Sequence, residues 1–203
     1  VTPREAPLTR DEILTKALAI ADAEGLDALS MRRLARELGI EAMSLYHHVA
    51  NKGAILDGLV EVVMREMAVP APLPTQWRAL VTEMFVAFRS ALERHPNVLP
   101  LLVTRPLNTE ASAGYVEAPL AAMAGAGLDA ATVGQLYQTL VAYTVGHALI
   151  SARVPEVAPD APVKRDRDAY PATVVAGPAV RAVDEAAFRH ALEIIIGGFA
   201  GSA

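Results

Sequence analysis

The sequence predicts an all-α protein: an N-terminal three-helix, helix-turn-helix module followed by a longer helical domain. Three observations carry this. Apolar residues recur three and four apart through most of the chain, the spacing that places them on one helical face. Ser, Thr, Asn and Gly stand where such stretches begin and end, as helix caps require. No segment alternates apolar and polar residues as a half-buried strand does, and there is no internal repeat.

The elements follow in order. Thr9 caps a first helix whose apolar face is Ile13, Leu14, Ala17, Leu18 and Ala21, and Gly25 ends it. Ser30 caps a second, with Leu34, Ala35 and Leu38 inward and Gly39 at its end. A short third helix runs from about Glu41 to His48. Asn51 caps a fourth, with Ile55, Leu56, Leu59, Val60 and Val63 as its stripe. Pro70, Pro72 and Pro74 then interrupt, because proline cannot continue a helix. They divide the chain into a module over 1–68 and a domain over 75–203. A fifth helix spans about Thr75 to Arg94 and breaks at His95-Pro96. Helical pieces near Val98–Val103 and Thr109–Ala126 precede a long helix, Ala130 to Arg153. The proline-rich stretch 154–178 reads as a long flexible loop. A last helix covers about Asp184 to Phe199.

The chain has 203 residues, no cysteine and a formal net charge of −5. Lacking cysteine, it has no disulfide scaffold, thiolate metal site or cysteine nucleophile. Val1 to Leu8 has no apolar core of signal-peptide length, so a cytoplasmic location is expected. The acidic balance at first argues against nucleic acid. Its distribution does not: Ala28 to Gly53 is locally +2, leaving −7 elsewhere. From Pro96 to Ala152 only Arg105, Glu110, Glu117 and Asp129 are charged, so that region is extensively buried.

The stretch from Ser30 to His48 holds the most specific pattern. Two short helices that cross closely need a small residue at the crossing, supplied by Ala35. Their turn needs a left-handed residue, supplied by Gly39. Leu34, Leu38, Ile40 and Leu45 fill the space between them. Ala42, Met43, Ser44, Tyr46, His47 and His48 then point outward, on a helix of the kind that enters a major groove. Ser30 and Lys52, at helix starts, suit phosphate. Tyr46, His47 and His48 offer hydrogen bonds to phosphates or base edges, and Ala42 and Met43 suit thymine methyls. A helical hairpin inside an ordinary core is the alternative.

Four segments together resemble the tetracycline-repressor (TetR) family of bacterial regulators: Leu8–Leu14, Glu24–Ser30, Leu34–Gly39 and Leu45–Lys52. The resemblance is continuous over about Leu8 to Leu59. The remainder is similar to the effector domain of the tetracycline repressor's own branch, through Trp77, Arg94–Pro96, Pro119–Gly125, Tyr143–His147 and Phe188–Phe199. It implies a homodimer that binds a palindromic operator and releases it when a small-molecule effector enters the C-terminal domain. By position, Tyr46, His48 and Lys52 match residues that contact DNA in the family. Ser30, Arg32, Ala42, Met43 and Ser44 occupy other such positions. Met31 departs from the pattern, standing where many relatives carry a hydroxyl.

Ala130 to Ala152 carries no formal charge. Its length suits a membrane span, but polar residues lie all round it and no basic flank orients it. Burial on two sides is the expectation instead. Val133, Leu136, Leu140 and Tyr137 face the subunit interior, and Gly146 and Leu149 face a second subunit. Leu192, Ile195, Ile196 and Phe199 of the last helix join that seam, giving a four-helix dimer interface. Met84, Phe85, Phe88, Met123, Tyr137, Tyr143 and His147 are candidates to line an effector cavity, with plain core as the alternative for each. Arg105, alone in an apolar stretch, is either an exposed loop residue or a polar anchor for the effector.

Nothing in the chain suggests catalysis. The five histidines lack zinc-helix spacing, no Gly-rich phosphate loop follows a strand, and Ser90, Ser112 and Ser151 lack a nucleophile-elbow context. No cofactor or protein-held metal is expected beyond the small-molecule effector; a metal-bound effector meeting His147 is the alternative. A DNA-binding architectural factor without effector is the second reading. A helical small-molecule-binding protein or enzyme is a remote third.

Overall fold

The computed structural model describes residues 8–67, 69, 71–105, 110–153, 168–180 and 184–200. Among them every regular element is helical. Helix α1 spans Arg10–Glu24 and opens with a full capping box. Glu12 N donates to Thr9 Oγ1 at 3.2 Å, and Thr9 N donates back to Glu12 Oε2 at 2.9 Å. This satisfies donors that a helix start otherwise leaves open. Gly25, at φ 83°, ends it. A 3-10 turn, Leu26–Ala28, leads to α2 (Met31–Leu38), where Ser30 accepts from Arg33 N. The brief α3 is Ala42–Leu45. Asn51 accepts from Ala54 N at 3.0 Å and so caps α4 (Lys52–Arg65).

The remaining helices are α5 (Trp77–Arg94), α6 (Leu99–Thr104), α7 (Glu110–Gly125), α8 (Ala130–Arg153), α9 (Pro171–Val180) and α10 (Glu185–Ala200). Asp129 and Asp184 cap α8 and α10 by accepting from Ala131 N and Ala187 N. Helix α9 corrects the long loop expected over 154–178. Pro171 occupies its first position, where proline costs no hydrogen bond, and no charge interrupts the run to Val180. The part of that loop over 154–167 lies outside the described residues.

The chain forms two compact units. The first comprises 1–69 together with 90–118, and the second 70–89 together with 119–203. This differs from a single break at the prolines. Residues 94–105 belong with the N-terminal helices because Arg94, His95, Asn97 and Arg105 all bond to α1 or α4.

In the first unit α1 lies on α4, burying Ile13, Leu14, Ala17, Leu18 and Ala21 with Ile55, Leu59 and Val63. Leu56 is only half-buried. Gly58 lets the two helices approach closely, because a Cβ at that position would force the buried Leu14 side chain to shift. Arg10–Glu61 and Arg65–Asp11 ion pairs, at 2.8 and 3.1 Å, flank the same contact. In the second unit α10 packs on α8. Its core includes Val81, Met84, Phe85, Phe88, Met123, Leu136, Leu140, Phe188 and Leu192.

Candidate functional site

The helix-turn-helix is built from local rules. Gly39 takes φ 68° and ψ 30°, the left-handed cap that ends α2. Ile40 N then donates to Ala35 O at 3.0 Å, which closes the turn. Leu34 and Leu45 are fully buried, whereas Leu38 and Ile40 are half-buried. Beyond α3 the backbone keeps turning. Tyr46 N reaches Met43 O, His47 N reaches Ser44 O, and His48 N reaches Leu45 O at 3.2, 3.3 and 2.9 Å.

Leu45 and Val49 hold this segment to the unit while the other side chains stay outside. Met43 is 71% exposed and Tyr46 48% exposed; Ser44, His47 and His48 are also exposed, and Ala42 is half-buried. The structure therefore brings the outward set of the sequence prediction onto one short segment.

The flanking cations divide into two kinds. Arg33 is used within the fold: its guanidinium meets Glu24 at 2.7 Å and Glu37 at 3.0 Å. The Glu24 charge, ahead of the other contacts, pushes the Arg33 pKa above its ordinary value. Arg32 and Arg36 are exposed. Ser30 is exposed with its Oγ engaged as the α2 cap. Lys52 is half-buried and donates from Nζ to Leu26 O at 3.3 Å. An ammonium carries three donors, of which this contact uses one. Arg36 was missed by the motif; the signal was its place four residues after Arg32 on the same helix face.

Arg105 finds its anion inside the first unit. Its Nη1 donates to Asp57 Oδ1 at 2.6 Å and to Gly53 O at 3.0 Å, both on α4. This corrects the expectation of an exposed loop residue. The lone cation of an apolar stretch is satisfied by the first turns of α4, beside Lys52.

The second unit gathers the aromatic candidates into two groups. Phe85 meets Phe88 and Tyr137 edge-on, with centroids 6.4 and 6.0 Å apart. Tyr143 stacks on Phe188 at 5.3 Å, and His147 meets the Phe188 edge at 4.9 Å. Met84 and Met123 are buried in the same unit. Sequence reasoning missed Phe188 and Arg89 here. Arg89 is buried with its guanidinium 5.2 Å from the Phe188 ring centre. Its position, four after Phe85 and three before Leu92, marked it as inward-facing. Burial raises the Tyr137 phenol, and raises Tyr143 against the opposing charge of Arg89; both phenols are neutral donors. An open cleft lies elsewhere in this unit, lined by Gln76, Trp77, Arg78, Leu80, Ala121 and Gly125 among others. None of the nominated effector residues lines it.

The dimer-seam candidates separate. Leu192 and Ile196 are buried within their own unit, so they have no surface to offer a second subunit. That part of the expectation is corrected: they face α8 across the intrachain contact. Leu149 is exposed, and Ile195, Phe199 and Gly146 are half-exposed. Ile150 and Ile194, 58% and 62% exposed, extend this apolar surface. No helix among the described residues is long and apolar enough to cross a membrane.

A capped helix, a left-handed turn and an outward-facing short helix define a helix-turn-helix regulator. The model of bacterial regulatory proteins of the tetR family matches residues 13–59, and the tetracyclin repressor-like C-terminal domain matches 69–202. The chain belongs to the TetR family of transcriptional regulators. It is 32% identical over 198 residues to the class D tetracycline repressor protein of Escherichia coli, covering 96% of this chain and 90% of that one. It is 44% identical over 101 residues to the HTH-type transcriptional repressor DrrR1 of Streptomyces coeruleorubidus, covering 49% of this chain. That match spans 37% of DrrR1, just over a third of its length. The Streptomyces coelicolor TetR family protein ActR, solved in complex with actinorhodin, superposes with a TM-score of 0.83 at 31% identity, covering 98% of each chain. Proteins of this family bind DNA operators as dimers and respond to small molecules.

Proposed function

We propose that this protein is a ligand-responsive repressor that binds a palindromic operator as a homodimer, in the cytoplasm, and leaves it when a small molecule occupies the second unit. The observation that carries the DNA part is the exposed segment Ala42–His48, pinned from behind by the buried Leu45. Arg32, Ala42, Met43, Ser44 and His48 read or touch base edges. Ser30, Tyr46, His47 and Lys52 hold phosphates. Because Met43 is apolar and Ala42 short, readout at the segment's start rests on thymine methyl contact rather than long hydrogen-bonding side chains.

Pairing two such modules doubles the contact area and matches half-sites about 34–36 Å apart. The seam runs over Leu149, Ile150, Ile194, Ile195 and Phe199, with Gly146 allowing close approach. The effector site is built around Phe85, Phe88, Tyr137, Tyr143 and His147, with Met84 and Met123 buried in the same unit. The actinorhodin complex of ActR supports a small-molecule effector, and these rings suit one with aromatic faces. A thermal-shift screen of aromatic small molecules, followed by operator release, tests this. A true effector raises the melting temperature and lowers operator affinity. Tight operator binding that no ligand alters favours a constitutive DNA-binding factor.

A further inference from the structure

The four residues Arg94-His95-Pro96-Asn97 do something the operator-binding reading does not use. They close the C-terminal ends of both α1 and α4. Asn97 Nδ2 donates to Ala21 O and Asp22 O at 2.9 and 3.1 Å. Arg94 Nη2 donates to Glu66 O at 2.9 Å. Asp22 O and Glu66 O belong to the carbonyls a helix end leaves open, while Ala21 O also accepts from Gly25 N at 2.8 Å; such carbonyls carry the partial negative charge of a helix end. Helix α1 has no basic residue in its own last turn; positive charge reaches that end from Arg33, paired with Glu24, and from this segment.

Between the two helix ends stands the His95 ring. Its Nδ1 lies 2.9 Å from Asp22 Oδ2, and its Nε2 lies 2.8 Å from Glu66 Oε2. The side chain is only 11% exposed. A neutral imidazole has one N–H, and its other nitrogen is an acceptor. Two carboxylates on the two nitrogens require two donors, which only the protonated ring has. The surroundings match that state. Asp22 Oδ1 is buried without a hydrogen-bond partner, so His95 carries that carboxylate. The charged groups facing the ring are Asp22 from α1, Glu66 from the end of α4 and Arg94 from α5, the last paired to Glu66 at 3.3 Å. Burial works to raise the Glu66 carboxyl, but its bonds to His95 and Arg94 prevail and hold it below the ordinary value.

We infer that His95 is a positioning residue for operator binding: as an imidazolium it bolts the end of α1 to the end of α4 and so fixes the helix whose other end presents Lys52. Loss of the ring proton turns one of the two bonds into a lone pair facing a carboxylate. The bolt opens, α4 gains freedom, and Lys52 and the adjoining reading segment lose their fixed placement. Operator affinity then falls with rising pH through a group that touches no DNA. The inference rests on the operator-binding reading.

The test compares wild type, His95→Gln and His95→Lys on an operator selected from random duplexes, by fluorescence anisotropy at about pH 6 and about pH 8.5. His47 and His48 are present in all three, so their own titration cancels in the ratios. Wild type is expected to bind about ten-fold tighter than His95→Gln at the lower pH, the worth of one charge-assisted bond, with the gap closing at the higher pH. The Lys-to-Gln ratio stays constant, because the lysine charge does not titrate over this range. Nitrogen-15 NMR of the full-length protein is expected to show both His95 ring nitrogens protonated at pH 6, a readout that needs no variant to fold. A wild-type-to-Gln ratio equal at both pH values, or a bare ring nitrogen at pH 6, overturns the inference while leaving the repressor reading intact. Failure of wild type to bind any duplex overturns the repressor reading itself.

Discussion

The two compact units solve the problem of helical packing with different chemistry. The unit holding α1 to α4 is tied by addressed polar contacts: caps at Thr9, Ser30 and Asn51, the Arg10–Glu61 and Arg65–Asp11 pairs, and the Arg105 fork on Asp57 and Gly53. The unit holding α8 and α10 is tied by rings and aliphatic volume, with Arg189 and Glu83 as its main described ion pair. A directional bond tolerates one geometry, which suits a surface that must match DNA. Apolar contact has no direction, which suits the ligand site and subunit seam proposed for this unit. Fixed presentation and adaptable volume are thus segregated within one chain.

That contrast can be attacked by substitution, beginning where the largest change is expected. Phe188 is fully buried and touches both Tyr143 and His147, so Phe188→Ala should cost about 3–5 kcal/mol in urea unfolding. A cost under about 1 kcal/mol would mean that the second unit is not organised around this ring. Gly58→Val forces a side chain into Leu14 and is expected to cost about 2–3 kcal/mol. The same substitution should lower operator affinity, since it parts α1 from α4. Preserved affinity in a destabilised Gly58→Val protein would show that the reading surface does not depend on that packing.

Lys52→Ala should weaken binding to all duplex sequences alike and reduce the salt slope by about one. Substituting Met43 should instead change which base pairs are preferred, by about 1–3 kcal/mol per position. If both variants act alike, the division between phosphate and base contacts is wrong. The smallest effect is an acid one. The Arg189 hydrogen bond holds the Glu83 carboxyl below its ordinary value despite partial burial. A depressed carboxyl stabilises the fold above its unfolded pKa, and that contribution fades as pH falls through the folded value. Acid unfolding of Glu83→Gln should therefore show a shallower loss below about pH 4.5 than wild type.

Legibility in the sequence follows the same division. The capped ends of α1, α2 and α4 could be placed nearly to the residue because Thr9, Ser30, Gly39 and Asn51 are chemical signals, whereas α3, expected from about Glu41 to His48, is regular only over Ala42–Leu45. The outward set on Ala42–His48 followed from that placement. The second unit resisted because one residue type serves three purposes. Leucine and isoleucine on α10 could be core or seam, and only three-dimensional packing shows that Leu192 and Ile196 are core while Ile194 is outside. Arg105 misled for a related reason. An isolated charge demands a partner, but Asp57 lies 48 residues away in sequence, and spacing carries no trace of it. Pro178 concealed α9, since proline ordinarily argues against a helix. His95 looked like a helix end and nothing more until Asp22 and Glu66 were seen on its two nitrogens.

The central claim is that two copies of the Ala42–His48 surface, backed by Lys52, read a palindrome and that the second unit controls their hold. Selection of bound duplexes from a random pool, followed by salt titration of wild type and Lys52→Ala on the winner, tests it most directly. The account predicts an enriched palindrome with half-sites about one helical turn apart, bound by two chains, and a Lys52→Ala salt slope lower by about one per chain. Enrichment of no sequence, or of a single unrepeated half-site bound by one chain with an unchanged slope, would contradict it.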